Sequence, residues 1–150
     1  MIRNRSIPPA TVIPELAYPD PSAAAGWLRD AFGFSVRLRI ANHRVQMNVG
    51  DGAIVVIEAP TERDRANSER DGFSRANSKA DSGHSVMVRV DDVNAHHARA
   101  KDRGARILRP PTDYPFGERQ YTVQDFAGHV WTFTESIADV DPKSWGGTAE

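Results

Sequence analysis

A chain of 150 residues, 39% hydrophobic and 26% charged, has the make-up of an ordinary soluble globular protein of one domain or two small repeats. Its formal net charge of -1 supplies no general attraction to nucleic acid or to an anionic membrane, and the absence of cysteine excludes disulfides, thiolate nucleophiles and cysteine metal sites. No apolar run reaches the length of a signal peptide or a membrane span, so the expected location is cytoplasmic, with neither nucleic acid nor membrane as partner.

In chain order, residues 11–18 (TVIPELAY) read as a short strand in which Pro14 argues for an edge or a bulge, because proline donates nothing to a ladder. Asp20 followed by Pro21 marks a helix start, with Ala24, Trp27, Leu28 and Ala31 on one face and Gly33 as the stop. Strands are expected at residues 35–40, 43–49 and, after the turn at Gly50 to Gly52, at 53–58 (AIVVIE). The stretch from residue 60 to 83 changes character, holding Phe73 alone among charges, Ser, Asn and Ala. It reads as a polar connector at about residues 61–83, or as a lid over a ligand site anchored by Phe73.

From residue 84 the pattern repeats, with a strand at 85–90 and a helix capped by Asp91 or Asp92 that carries Val93, His97 and Ala100. Gly104 ends that helix, a strand follows at 105–108, and then a Pro-rich loop at 110–116. Laying the halves over each other places Gly33 on Gly104 and Gly52 on Gly128, so residues 11–60 and 84–137 form two copies of strand, helix, three strands within one domain. The last copy closes with GERQYTVQDFAGHVWTF, residues 117–133. Period-two alternation makes strands on either side of a turn at Asp125, Phe126, Ala127 and Gly128, and the second strand carries Trp131 and Phe133 on one face against Val130, Thr132 and Thr134.

This hairpin resembles the final hairpin of the vicinal oxygen chelate superfamily, the glyoxalase, bleomycin resistance and dioxygenase group, which reads roughly G-D/E-R, a short strand, D-P-x-G-H, then W-x-F. Phe126 stands in place of the proline. The nearest branch is that of uncharacterised glyoxalase-like proteins near the PhnB type. The resemblance implies an α+β fold of two βαβββ modules paired into a curved mixed sheet with a concave ligand cleft. It also implies a homodimer, as in the bleomycin resistance branch. In metal-using members a His or Gln on the first strand of a module and a Glu on its last hold a divalent ion, and those slots fall here on Ile13, Ser85, Val56 and Thr132. Two of the four are aliphatic, so the expectation is no metal cofactor.

By strand parity the concave face is expected to carry Glu15, Arg44, Gln46, Glu58, Met87, Arg89, Gln120, Thr122, Thr132 and Thr134. Charge out of water must be paired, wet or matched by a polar ligand, so these residues form either an internal ion-pair network in a wet groove or a ligand site. In a ligand site Arg44 and Arg89 are the forks for a carboxylate or phosphate, and Glu15 and Glu58 face an amine or hydroxyl. Three functions follow. One is metal-free binding of a small polar or partly apolar molecule. Another is a metal-dependent lyase, isomerase or dioxygenase, with a divalent cation. The third is a metal-free enzyme with Glu58 or Glu15 as general base.

Overall fold

The structure, a computed structural model, describes residues 1–60 and 83–150; the connector or lid expected at 61–83 lies outside them except for Gly83. The described chain forms two units. The first contains β1 (Glu15–Tyr18), α1 (Pro21–Phe32), β2 (Ser35–Ile40), β3 (Arg44–Val49) and β4 (Gly52–Glu58). The second contains β5 (Val86–Arg89), α2 (Val93–Asp102), β6 (Arg106–Asp113), β7 (Glu118–Gln124) and β8 (Val130–Ser136), followed by a short 3-10 turn, Pro142–Trp145. The sheets have the same order, β1-β4-β3-β2 and β5-β8-β7-β6, with the first pair of each parallel and the rest antiparallel. Each unit is therefore the βαβββ module of the expected α+β class, and no helix among the described residues is long and apolar enough to cross a membrane.

Local chemistry sets the helix ends. The Asp20 carboxylate accepts from Ala23 N–H at 3.1 Å ahead of Pro21, and Gly33 closes α1 in the left-handed region at φ 79°. Asp92 caps α2 in the same way through Ala95 N–H at 2.9 Å, and the Glu135 carboxylate of β8 accepts from Val93 N–H at 3.0 Å. In the first unit the apolar face of α1 (Ala24, Leu28, Ala31, Phe32) is buried, as is the sheet face made of Leu16, Tyr18, Val45, Met47, Ile54 and Val56. In the second, Tyr121, Val123, Trp131 and Phe133 form the corresponding face, with Val93 and Ala100 buried on α2.

Strand bounds shift where proline acts. β1 begins only after Pro14, whose carbonyl accepts from Val55 N–H at 2.9 Å. The reverse occurs at β6, which continues through Pro110 and Pro111 to Asp113 where a loop was expected. It is an edge strand, and its pairing with β7 slips between Ile107 and Arg109 and again between Arg109 and Thr112. An outer strand with such irregularities accommodates residues that lack an N–H.

Candidate functional site

On the side of each sheet away from its helix, cross-strand partners line up in transverse rows. In the second unit one row is Met87, Thr132 and Thr122, the next is Arg89, Thr134 and Gln120, and beyond it Glu118 stands opposite Ser136. All of the expected second-half site residues therefore share one face. Glu118 joins them, although the sequence reading passed over it as part of the G-E-R pattern. Its position was readable: two residues before Gln120 on one strand means the same face.

Glu118 is the hub of this face. Its Oε1 accepts from the Thr134 hydroxyl at 2.9 Å and lies 3.5 Å from Arg89 Nη1, which also donates to Ser136 Oγ. The Gln120 amide donates to Thr134 Oγ1 at 3.2 Å, and the Thr122 and Thr132 hydroxyls meet at 3.3 Å. Bonding from Ser136, then from Thr134, and the Arg89 charge hold the Glu118 carboxyl below the ordinary glutamate range, against the opposing effect of its partial burial. The side chain of Glu118 is 17% exposed whereas that of Arg89 is 67% exposed. One edge of the guanidinium is thus fixed from beneath and the remainder faces solvent. Met87, 62% exposed, offers an apolar surface one row away.

Beside these rows Arg109 of β6 donates to the Tyr114 hydroxyl at 2.7 Å; Tyr114 stacks on Phe116 at 5.2 Å, and Phe116 meets Trp145 at 5.3 Å. Arg119 lies on the helix side of β7. It grips the Asp113 carboxylate through Nε at 2.6 Å and Nη2 at 3.2 Å, which lowers the pKa of Asp113.

In the first unit the face away from α1 carries Glu15, Val55 and Gln46 in one row and Ala17, Ile57 and Arg44 in the next. Glu15 and Arg44 come together at 3.7 Å across β4, Glu15 exposed and Arg44 half-buried. Gln46 is buried and spent on its own chain: its Oε1 accepts from Arg37 Nη1 at 2.5 Å and its Nε2 donates to the Ser6 carbonyl at 2.9 Å.

Glu58 requires a correction. It pairs with Tyr18 in the β1–β4 ladder, and Val56 pairs with Leu16 and Val45, so both lie on the α1 side rather than with Glu15, Arg44 and Gln46. Glu58 is exposed at the end of β4, beside Pro19, Asp20 and Asn42. The overlay of Gly52 on Gly128 is one residue out because the connections differ: residues 50–51 link β3 to β4, whereas 125–129 link β7 to β8. Thr132 corresponds to Val55, not to Val56.

That correction leaves the inherited metal slots at Ile13, Ser85, Val55 and Thr132, still without the carboxylate or imidazole a divalent ion needs. Among the described residues no group of three or more His, Asp or Glu could hold an ion. These residues do not fit the metal of the metal-using members.

The D-F-A-G-H turn is structural. Buried Asp125 accepts from Ala127 N–H and His129 N–H, both at 3.0 Å, and from the Trp131 indole N–H at 3.1 Å, joining turn to core. His96 of α2 is another residue the pattern missed, since only His97 fell on the expected helical stripe. Its ring lies 4.0 Å from Phe133, with Nδ1 2.5 Å from the Tyr121 hydroxyl. Burial raises the pKa of Tyr121, and burial followed by the Lys101 charge lowers that of His97.

Comparison with known proteins agrees with this architecture. The family model described as Glyoxalase/Bleomycin resistance protein/Dioxygenase superfamily matches residues 10–133. TioX from Micromonospora sp. ML1 is a similar solved structure, 32% identical over 88% of this chain and 100% of its own, with a TM-score of 0.63. A family enzyme from Burkholderia phytofirmans PsJN has a TM-score of 0.65 at 15% identity, over 83% of this chain and 97% of its own. A glyoxalase-related enzyme from Fulvimarina pelagi has 0.63 at 18%, over 85% and 88%. These last two speak for the fold alone. No curated protein matches the chain. With the family model spanning both βαβββ modules, the chain belongs to the glyoxalase, bleomycin resistance protein and dioxygenase superfamily.

Proposed function

We propose that this protein binds a small, partly apolar anion on the open face of its second sheet without a metal, with Arg89 as the fork for a carboxylate or phosphate. The observation that carries this reading is the Arg89–Glu118–Thr134–Ser136 network: an arginine oriented by bonds on one edge and open on the other, with an apolar neighbour in Met87. Thr122, Thr132 and Gln120 supply hydroxyls and an amide for the rest of the molecule. Arg44, paired with Glu15 in the first module, is a second fork of the same kind.

Glu118 is set to orient Arg89 rather than to abstract a proton, because its carboxyl, held below its ordinary range, is a weak base near neutrality. We also propose a homodimer located in the cytoplasm, the dimer resting on the likeness to the bleomycin resistance branch. Thermal-shift measurements with a panel of aromatic and aliphatic carboxylates and phosphates test the site. Stabilisation by one class in the wild type, lost in Arg89→Ala when measured against that variant's own unliganded midpoint, is the expected result. Equal stabilisation of both proteins overturns the assignment. Light scattering at twice the chain mass checks the dimer.

A further inference from the structure

Gln46 and Arg37 present an arrangement that the proposed function does not use. Gln46 lies in the middle of β3 on the face away from α1 and is 3% exposed, so both ends of its amide must find partners. Arg37 lies at the irregularity of β2 between Val36 and Leu38, where the slipped register aims its guanidinium back over the sheet. Nη1 of Arg37 donates to Gln46 Oε1 at 2.5 Å, which orients the amide and leaves two donors side by side. Both donors hold main-chain carbonyls: Gln46 Nε2 that of Ser6 at 2.9 Å, and Arg37 Nη2 that of Arg5 at 2.8 Å.

We propose that Gln46 and Arg37 are a recognition site for two successive amide carbonyls of a peptide-like ligand, and that the chain's own N-terminal segment is its present occupant. The contacts go to backbone atoms, so they select peptide units and not particular side chains. The occupant is held lightly. Residues 1–14 form neither helix nor strand, and a few hydrogen bonds to such a segment offset little more than its ordering entropy. A ligand with carbonyls at the same spacing would compete with the segment for these two donors.

The test uses a variant lacking residues 2–9, which removes no helix or strand, and a fluorescently labelled synthetic peptide with the sequence of residues 1–10. In anisotropy titrations the shortened protein is expected to bind the peptide saturably while the full chain, its site filled, does not. Adding Gln46→Ala to the shortened protein should weaken binding by about tenfold or more, since the carbonyls lose a buried donor. Absence of saturable binding by a shortened protein with wild-type circular dichroism overturns the proposal, as does binding indifferent to Gln46→Ala. If the shortened protein does not fold, the full chain decides: trypsin should cleave after Arg3 and Arg5 several-fold faster in Gln46→Ala than in wild type, and equal rates reject the site. Neither outcome depends on Arg89, so this proposal and the one for the second sheet fail separately.

Discussion

At the residue scale, two carboxylates one strand apart have opposite uses. Asp125 is buried and gives its oxygens to two turn amides and the Trp131 indole, which leaves it no free edge for a ligand. Asp125→Ala strands a buried indole N–H and frees the turn, and each orphaned donor costs about 1–3 kcal/mol, so a loss of about 3 kcal/mol in urea unfolding is expected. Asp125→Asn, keeping one acceptor oxygen, should lose less; an Ala variant as stable as wild type contradicts the account. Glu118 is instead shared between sheet and solvent. Its folded pKa is depressed by Ser136, Thr134 and Arg89, so its contribution to stability is complete above the ordinary value of 4.5 and is lost as pH falls through the lower folded value. Urea midpoints followed downward from pH 4.5 should therefore drop more steeply in wild type than in Glu118→Gln. Parallel curves would remove the network from the argument.

At the element scale, each module depends on a helix that starts from an aspartate and lies on one apolar sheet face. α1 is densely apolar, with six buried residues, whereas α2 has only Val93 and Ala100 buried and relies on its ends: Asp92 and Glu135 both accept from its first turn. An N-cap Asp→Ala change costs about 1 kcal/mol. Asp92→Ala and Asp20→Ala should each lower stability by about that amount in denaturant titration, and only the former should speed amide exchange along its helix, because α1 has core burial to retain it. Equal effects on exchange would show that α2 is held by more than its caps. The strands show where pattern reading ends. Alternating β5, β7 and β8 were legible residue by residue, which is why Arg89, Gln120, Thr122, Thr132 and Thr134 were placed on one sheet face. β4 is apolar on both faces, so its parity could be inferred only from an overlay of two unlike turns. Glu58 was misplaced with it.

At the scale of the whole molecule, the duplicated βαβββ order and the family match cover both modules, but the slots that the resemblance assigns to a divalent ion, Ile13, Ser85, Val55 and Thr132, carry aliphatic or hydroxyl side chains. Dialysis against EDTA is accordingly expected to leave both the melting temperature and any carboxylate-dependent stabilisation unchanged; a loss of either, restored by one divalent cation, would return the protein to the metal-dependent enzymes. The sequence by itself determined the class of fold, the repeat, the helix ends and the aromatic faces, because caps and period-two alternation are local properties of consecutive residues. Only the tertiary structure decided that Glu118 anchors Arg89, that Gln46 is taken by the chain's own Ser6 and Arg37, and that Val55 rather than Val56 faces away from α1. Those facts depend on ladder register and on contacts between distant segments, which no local pattern encodes.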